Sequence, residues 1–109
     1  MEERIKSFKE FYAFYLTQHQ HKLCRLLHVV GTTVVLALTI TAIYHLNFVL
    51  LLYVPLAGYG FAWAGHLFFE KNKPATFKYP LWSLKADFVM YFDILSGKLS
   101  LDARKDIQK

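Results

Sequence analysis

The sequence has little of what staples small domains together or marks common catalysts. Its one cysteine, Cys24, has no partner for an intramolecular disulfide. Three prolines and five glycines are too few for a collagen-like chain or a flexible linker. It contains no glycine-rich phosphate loop, nucleophile elbow, Cys-x-x-Cys pair or dinucleotide fingerprint. Ser83, Ser96 and Ser100 lie far along the chain from the histidines, which argues against a serine triad. Charge is scarce as well. Only 19% of residues are charged, and residues 26–69 form a run of 44 without one Asp, Glu, Lys or Arg. All 13 basic residues fall outside that run, five before it and eight after, for a net charge of +5. A nucleic-acid surface gathers basic residues on one face among aromatics. Here they bracket an apolar block, so no nucleic-acid partner is expected.

What the chain does have is apolar mass. Of its 109 residues 55% are hydrophobic and 17% aromatic, and its mean hydropathy is +0.26. A soluble domain of this size buries only about 60–70% of its unfolded surface and needs polar residues for the rest. The composition points away from a water-soluble monomer and from a disordered chain. The length allows one domain, residues 1–109. No internal repeat divides it.

As a helix, 44 residues would run about 66 Å, twice the roughly 30 Å of a bilayer core. The block therefore reads as two membrane crossings, about 26–46 and 48–69, with a turn at His45, Leu46 and Asn47. Pro55 falls in the second crossing, where a kink is tolerable. Gly58 and Gly65, seven apart, share a face suited to close helix contact. The alternative is an unusually apolar core hairpin in a soluble bundle. Both basic flanks lie on the same side of the hairpin, which places both termini in the cytoplasm. Met1, Glu2 and Glu3 are unlike the basic n-region of a signal peptide, so the first crossing is expected to persist in the mature protein.

Amphipathic helices are expected on each side, about 3–18 and 80–96. In the first, Ile5, Phe8, Tyr12, Tyr15 and Leu16 share a face opposite Lys6, Lys9 and Glu10. The second starts at Pro80 and is capped by Gly97. It is too apolar for a free surface, yet Lys85, Asp87 and Asp93 make it a poor crossing, so it is placed at the interface or against the hairpin's cytoplasmic end. Residues 71–78 form a loop and 100–109 a polar tail. The predicted fold is all-α: a hairpin of two transmembrane helices with flanking amphipathic helices, forming a small bundle.

Of five histidines, His28 and His66 stand 19 residues before and after Asn47, so an antiparallel hairpin brings them to one depth near the cytoplasmic interface. Ionisable groups there are costly and point to function. Glu70 follows His66 at i+4 on the same helical face, and His19 extends the stripe of Phe8, Tyr12 and Tyr15. His28, His66 and a carboxylate match the two-histidine, one-carboxylate pattern of non-haem iron, with His19 as a further ligand. Each residue also has a bland reading. Interfacial histidines snorkel or cap carbonyls, the reading preferred for His45, and His21 beside Lys22 is open to solvation. Cys24 reads as packing, Glu70 pairs with Lys73 or starts the loop, and Phe61, Trp63, Phe68 and Phe69 suit an aromatic belt.

These residues also carry a resemblance. Tyr15, His19, Cys24-Arg25, His28 and Gly31-Thr32 resemble the first motif of a family of small membrane proteins once known only as a domain of unknown function. The second motif is similar to residues 58–70 (Gly58-Tyr59-Gly60 through His66 to Glu70), with Pro74-Ala75-Thr76-Phe77 and Tyr79-Pro80-Leu81-Trp82-Ser83-Leu84. The resemblance covers roughly residues 8–99. The family's characterised fungal member is an iron-dependent dioxygenase of the endoplasmic reticulum that shortens 2-hydroxy fatty acids by one carbon. The resemblance implies iron(II), a 2-hydroxy fatty acid and dioxygen as partners, and His19, His28, His66 and Glu70 as catalytic and metal-binding residues. It also implies an integral membrane location, the inner membrane in a bacterium or the endoplasmic reticulum in a eukaryote. Two departures stand out: His21-Lys22 replaces Asn-Pro and offers one more imidazole, and Ala62 replaces a glutamine. The short length resembles the bacterial branch. Lys22, Arg25 and Lys71 either guide a substrate carboxylate or form a solvated basic rim. The alternative is a non-enzymatic membrane protein binding haem or metal through His28 and His66. A chain this short encloses little, which leaves room for a homodimer.

Overall fold

The computed structural model describes residues 5–73 and 78–101. Among these it is helical throughout, with α1 at Phe8–Thr17, α2 at Lys22–Tyr44, α3 at Tyr53–Gly65 and α4 at Pro80–Leu95. A tight 3₁₀ segment, Phe48–Leu52, leads into α3, and a wide π turn, His66–Glu70, continues it. The expected polar tail lies outside the described residues beyond Leu101, as do residues 74–77 of the loop and residues 1–4.

Two 23-residue helical stretches, Lys22–Tyr44 and Phe48–Glu70, are long and apolar enough to cross a membrane. Each spans about 35 Å, enough for a bilayer core of about 30 Å. Much of their outer surface is bare: Ile40, Ile43, Leu52, Leu56 and Leu67 are all more than half exposed. In water that surface would be a liability, whereas hydrocarbon solvates it. The first stretch starts four residues earlier than the expected crossing, because the His21 ring caps it by accepting from the Leu23 N–H at 3.1 Å.

The turn forms where the sequence places it, by a different residue. Leu46, not Asn47, takes the left-handed conformation (φ 53°). Its N–H bonds the Ile43 carbonyl, and the Asn47 N–H bonds that of Ala42 at 2.9 Å, closing α2 in a Schellman arrangement. Asn47 acts here through its backbone. Pro55 lies in the first turn of α3, just past the 3₁₀ segment, where a missing N–H costs little.

The two spanning stretches run antiparallel in close contact, and small residues set the spacing. A Cβ on Gly31 would lie 2.8 Å from the Phe61 Cβ, one on Gly65 3.0 Å from the Cys24 Sγ, and one on Gly58 3.2 Å from a Val35 methyl. Cys24 is accordingly a buried packing residue.

A hydrophobic core lies outside the hairpin, between α1 and α4, where Phe11, Tyr15, Tyr79, Ala86 and Met90 are buried together. Of the helix expected over 3–18, residues 3 and 4 lie outside the described residues, and α1 begins at Phe8 because Ser7 caps it by accepting from the Glu10 N–H. Upstream, the Ile5 N–H instead donates to the Tyr79 hydroxyl at 3.0 Å. The charges that make α4 a poor crossing are engaged by α1. Tyr12 donates to Asp93 at 2.9 Å, Tyr15 donates to Asp87, and the Lys85 ammonium lies 4.2 Å from the centre of the Phe8 ring. Thr33 on α2 bonds the Tyr91 hydroxyl at 2.9 Å, docking α4 on the hairpin. Gly97 ends α4 with φ 86°.

Candidate metal centre

Three segments deliver one histidine each to a common point. His19 follows α1 in the short link to α2, His28 lies in the second turn of α2, and His66 opens the π turn after α3. All three are at most 5% exposed. Their rings meet edge to face, with centroids 4.5 Å apart for His19 and His28, 4.4 Å for His19 and His66, and 5.2 Å for His28 and His66. Among the described residues, these are the His, Cys, Asp and Glu side chains whose ligand atoms converge, all within 4.8 Å of one another.

Each ring has one nitrogen committed to an oxygen. Nδ1 of His19 lies 2.7 Å from the Tyr15 carbonyl, Nδ1 of His28 lies 2.8 Å from the Cys24 carbonyl, and Nδ1 of His66 lies 2.6 Å from Asn72 Oδ1. A carbonyl oxygen only accepts, so each acceptor fixes the proton on Nδ1 and leaves Nε2 as a bare lone pair. Nε2 of His19 and His28 are 3.1 Å apart. Two lone pairs at that distance repel unless a cation lies between them. Nitrogens bound to one ion at about 2.1 Å are about 3.0 Å apart at right angles and about 3.4 Å apart at tetrahedral angles. The donor set therefore fits a divalent transition metal held on one face. A haem between His28 and His66 does not fit, because the His19 ring packs against both.

Burial, then the His28 and His66 imidazoles, holds His19 well below the usual histidine range. A neutral, metal-ready ring at pH 7 follows. The Tyr15 ring stacks on His19 at 3.9 Å while its hydroxyl donates to Asp87. Burial raises the Asp87 carboxyl to about 6 and pushes the Tyr15 phenol well up.

The supporting residues were the least visible in the sequence. Asn72 receives the His66 proton and donates to the Gln18 carbonyl (3.2 Å) and side chain (3.0 Å), joining the end of the second span to the end of α1. Lys71, in the left-handed conformation (φ 58°), turns the chain back so that Asn72 reaches His66. The π turn widens the helix at the same point, a distortion frequent at functional sites. Arg25, read from the sequence as either a guide for a substrate carboxylate or part of a solvated rim, is fully buried, which overturns the solvated reading. Its Nε donates to the His19 carbonyl at 2.5 Å and its Nη1 to the Ser100 carbonyl at 2.7 Å, clamping the link that carries His19.

The sequence placed Glu70 among the ligands, and the structure does not bring it into the cluster. Its carboxylate accepts the His21 N–H at 2.5 Å, at the start of α2, where a negative charge complements the helix dipole. His21 likewise stays outside, exposed, with its ring against Phe69 at 5.0 Å. His45 lies exposed at the far tip.

A cleft of about 160 Å³ between α2, α3 and α4 opens beside His28. Asp87 and Thr32 line it near the histidine, and Val35, Val54 and Pro55 line it further along.

A family model described as 2-hydroxy-palmitic acid dioxygenase Mpo1-like matches residues 5–99. No curated protein and no solved structure matches the chain.

Proposed function

Because the chain belongs to the Mpo1-like 2-hydroxy-palmitic acid dioxygenase family, we propose that it is an iron(II)-dependent dioxygenase that converts 2-hydroxy fatty acids to acids one carbon shorter. The observation that carries this reading is the trio of buried imidazoles, each with Nδ1 against an oxygen and with ligand atoms all within 4.8 Å of one another. In the overall reaction a 2-hydroxy acid and dioxygen give the shortened acid, carbon dioxide and water, which balances atoms and electrons.

His19, His28 and His66 would hold the ion, which when bound supplies dioxygen activation next to carbon 2. The protein's own part is positioning. The Nδ1 acceptors set the ring directions and make each Nε2 a better donor. Glu70 and Arg25 act on the α1–α2 link rather than on the ion, one at the His21 N–H and the other at the His19 carbonyl. The buried guanidinium also places positive charge next to a centre that has to receive a carboxylate. Packing of Cys24 against Gly65 keeps water from the hairpin side of the rings. With the centre near one end of both spans, the polar head of a lipid acid would lie at headgroup depth and its tail among hydrocarbon. The basic flanks put that end, and both termini, on the cytoplasmic side.

The test is oxygen uptake by detergent-purified, iron(II)-loaded protein given 2-hydroxypalmitate, with the product acid identified by mass spectrometry. Uptake matched by pentadecanoate, and lost in His66→Ala, is expected. Stoichiometric iron binding without uptake would refute the reaction.

A further inference from the structure

The cleft beside His28 has a polarity gradient that the metal centre does not explain. Its polar lining, His28, Thr32 and Asp87, gathers at the end nearest the histidines, since Asp87 is held by Tyr15 and Tyr15 stacks on His19. The far end is Val35, Val54 and Pro55. His28 and Val35 are seven residues apart on α2, so the cleft extends about 10 Å from the metal centre. Gly58 also lines it, where the lack of a side chain lets α3 pack closely on Val35 of α2. Along one side Tyr59 (38% exposed) and Leu84 (49%) form a rim reachable from the bilayer.

We infer that this cleft binds the first half of the substrate's acyl chain, with the carboxyl end at His28 and the methylenes against Val35, Val54 and Pro55. An amphiphile fits because the lining changes from polar to apolar in the direction leading away from the metal centre. The chain enters sideways past Tyr59 and Leu84, and whatever exceeds the cleft stays in the leaflet. This assignment rests on the proposed substrate class and adds the residues that hold its tail.

The experiment uses the full chain in detergent and has two arms. In the first, Val54→Phe fills the far end, and turnover is compared for 2-hydroxypalmitate and for 2-hydroxybutyrate, which is too short to reach it. The kcat/KM for the long acid should fall about tenfold, the loss expected from displacing about two buried methylenes. The short acid should stay within about twofold of wild type. Equal losses on both acids, or none on the long one, would overturn the assignment. In the second arm, iron-free wild-type protein is photolysed with a 2-hydroxy fatty acid carrying a diazirine midway along its chain. Adducts on Val35, Val54 or Pro55 support the cleft whether or not turnover occurs, and adducts confined to the outer face at Leu56 and Leu67 reject it. A wild-type protein that cross-links in the cleft but consumes no oxygen would defeat the reaction while leaving the binding site standing.

Discussion

Asn72 offers the sharpest test of how the candidate metal centre is built. Replacing it with Ala removes the acceptor 2.6 Å from His66 Nδ1 and both donors to Gln18. The His66 ring is then a buried donor without a partner, a cost of about 1–3 kcal/mol. Part of that cost falls on metal binding, because the ring can turn or carry its proton on Nε2, the nitrogen the ion needs. Loss of such a partner typically weakens metal affinity by about 10–100-fold. Asn72→Asp is the matched control: its carboxylate still accepts from Nδ1 but cannot donate to Gln18. Competition titration with a chromophoric chelator, using cobalt(II) as an air-stable probe, should give a Kd raised about 10–100-fold for Asn72→Ala. Asn72→Asp should stay within a few-fold of wild type. If Asn72→Ala lowers thermal stability but leaves Kd within twofold, Asn72 is only a loop anchor and the orienting role is wrong.

Three further outcomes follow from the packing and burial. Gly31→Ala forces the two spans apart at Phe61, since the new Cβ would sit 2.8 Å from that residue, and should cost about 1–3 kcal/mol in a detergent unfolding titration. Asp87 has a folded pKa of about 6 against an ordinary 3.8, so the folded state binds its proton more tightly than the unfolded chain. Its stabilising contribution is complete below about pH 4 and is lost as pH rises through 6, a fall of order 3 kcal/mol. Thermal midpoints between pH 4 and 7 should show that fall, and Asp87→Asn should flatten it. Arg25→Met removes the charged donors on the His19 and Ser100 carbonyls. It should lower stability by about 2 kcal/mol and weaken cobalt(II) binding in the same titration as Asn72→Ala.

The hairpin was legible because its signal is one-dimensional. A stretch without charge, bracketed by basic residues and interrupted near Asn47, specifies two spans and their turn without reference to packing. The matched depth of His28 and His66 follows from the same count, since antiparallel helices pair residues equidistant from the turn. Local chemistry marked Gly97 as a cap for the same reason, its effect being confined to neighbouring residues. The helix starts at Phe8 and Lys22 were less visible, because Ser7 and His21 act as caps only once the backbone has placed their side chains.

Other features depended on what folding brings together from distant segments. Glu70 shares a helical face with His66 by count, but the π turn breaks that count, and the carboxylate goes to the α2 N-terminus. Arg25 carries a charge that a sequence reading assigns to solvent, yet two carbonyls from distant segments allow it to be buried. Asn72, in an unremarkable polar loop, becomes the anchor of His66 only because Lys71 reverses the chain. Sequence alone therefore marked the two helices long and apolar enough to cross a membrane and pointed to the three histidines that the fold gathers, since periodicity and charge spacing act along the chain. The ligand directions, the buried clamp and the cleft arose only in three dimensions, where hydrogen-bond partners more than fifty residues apart come within 3 Å of each other.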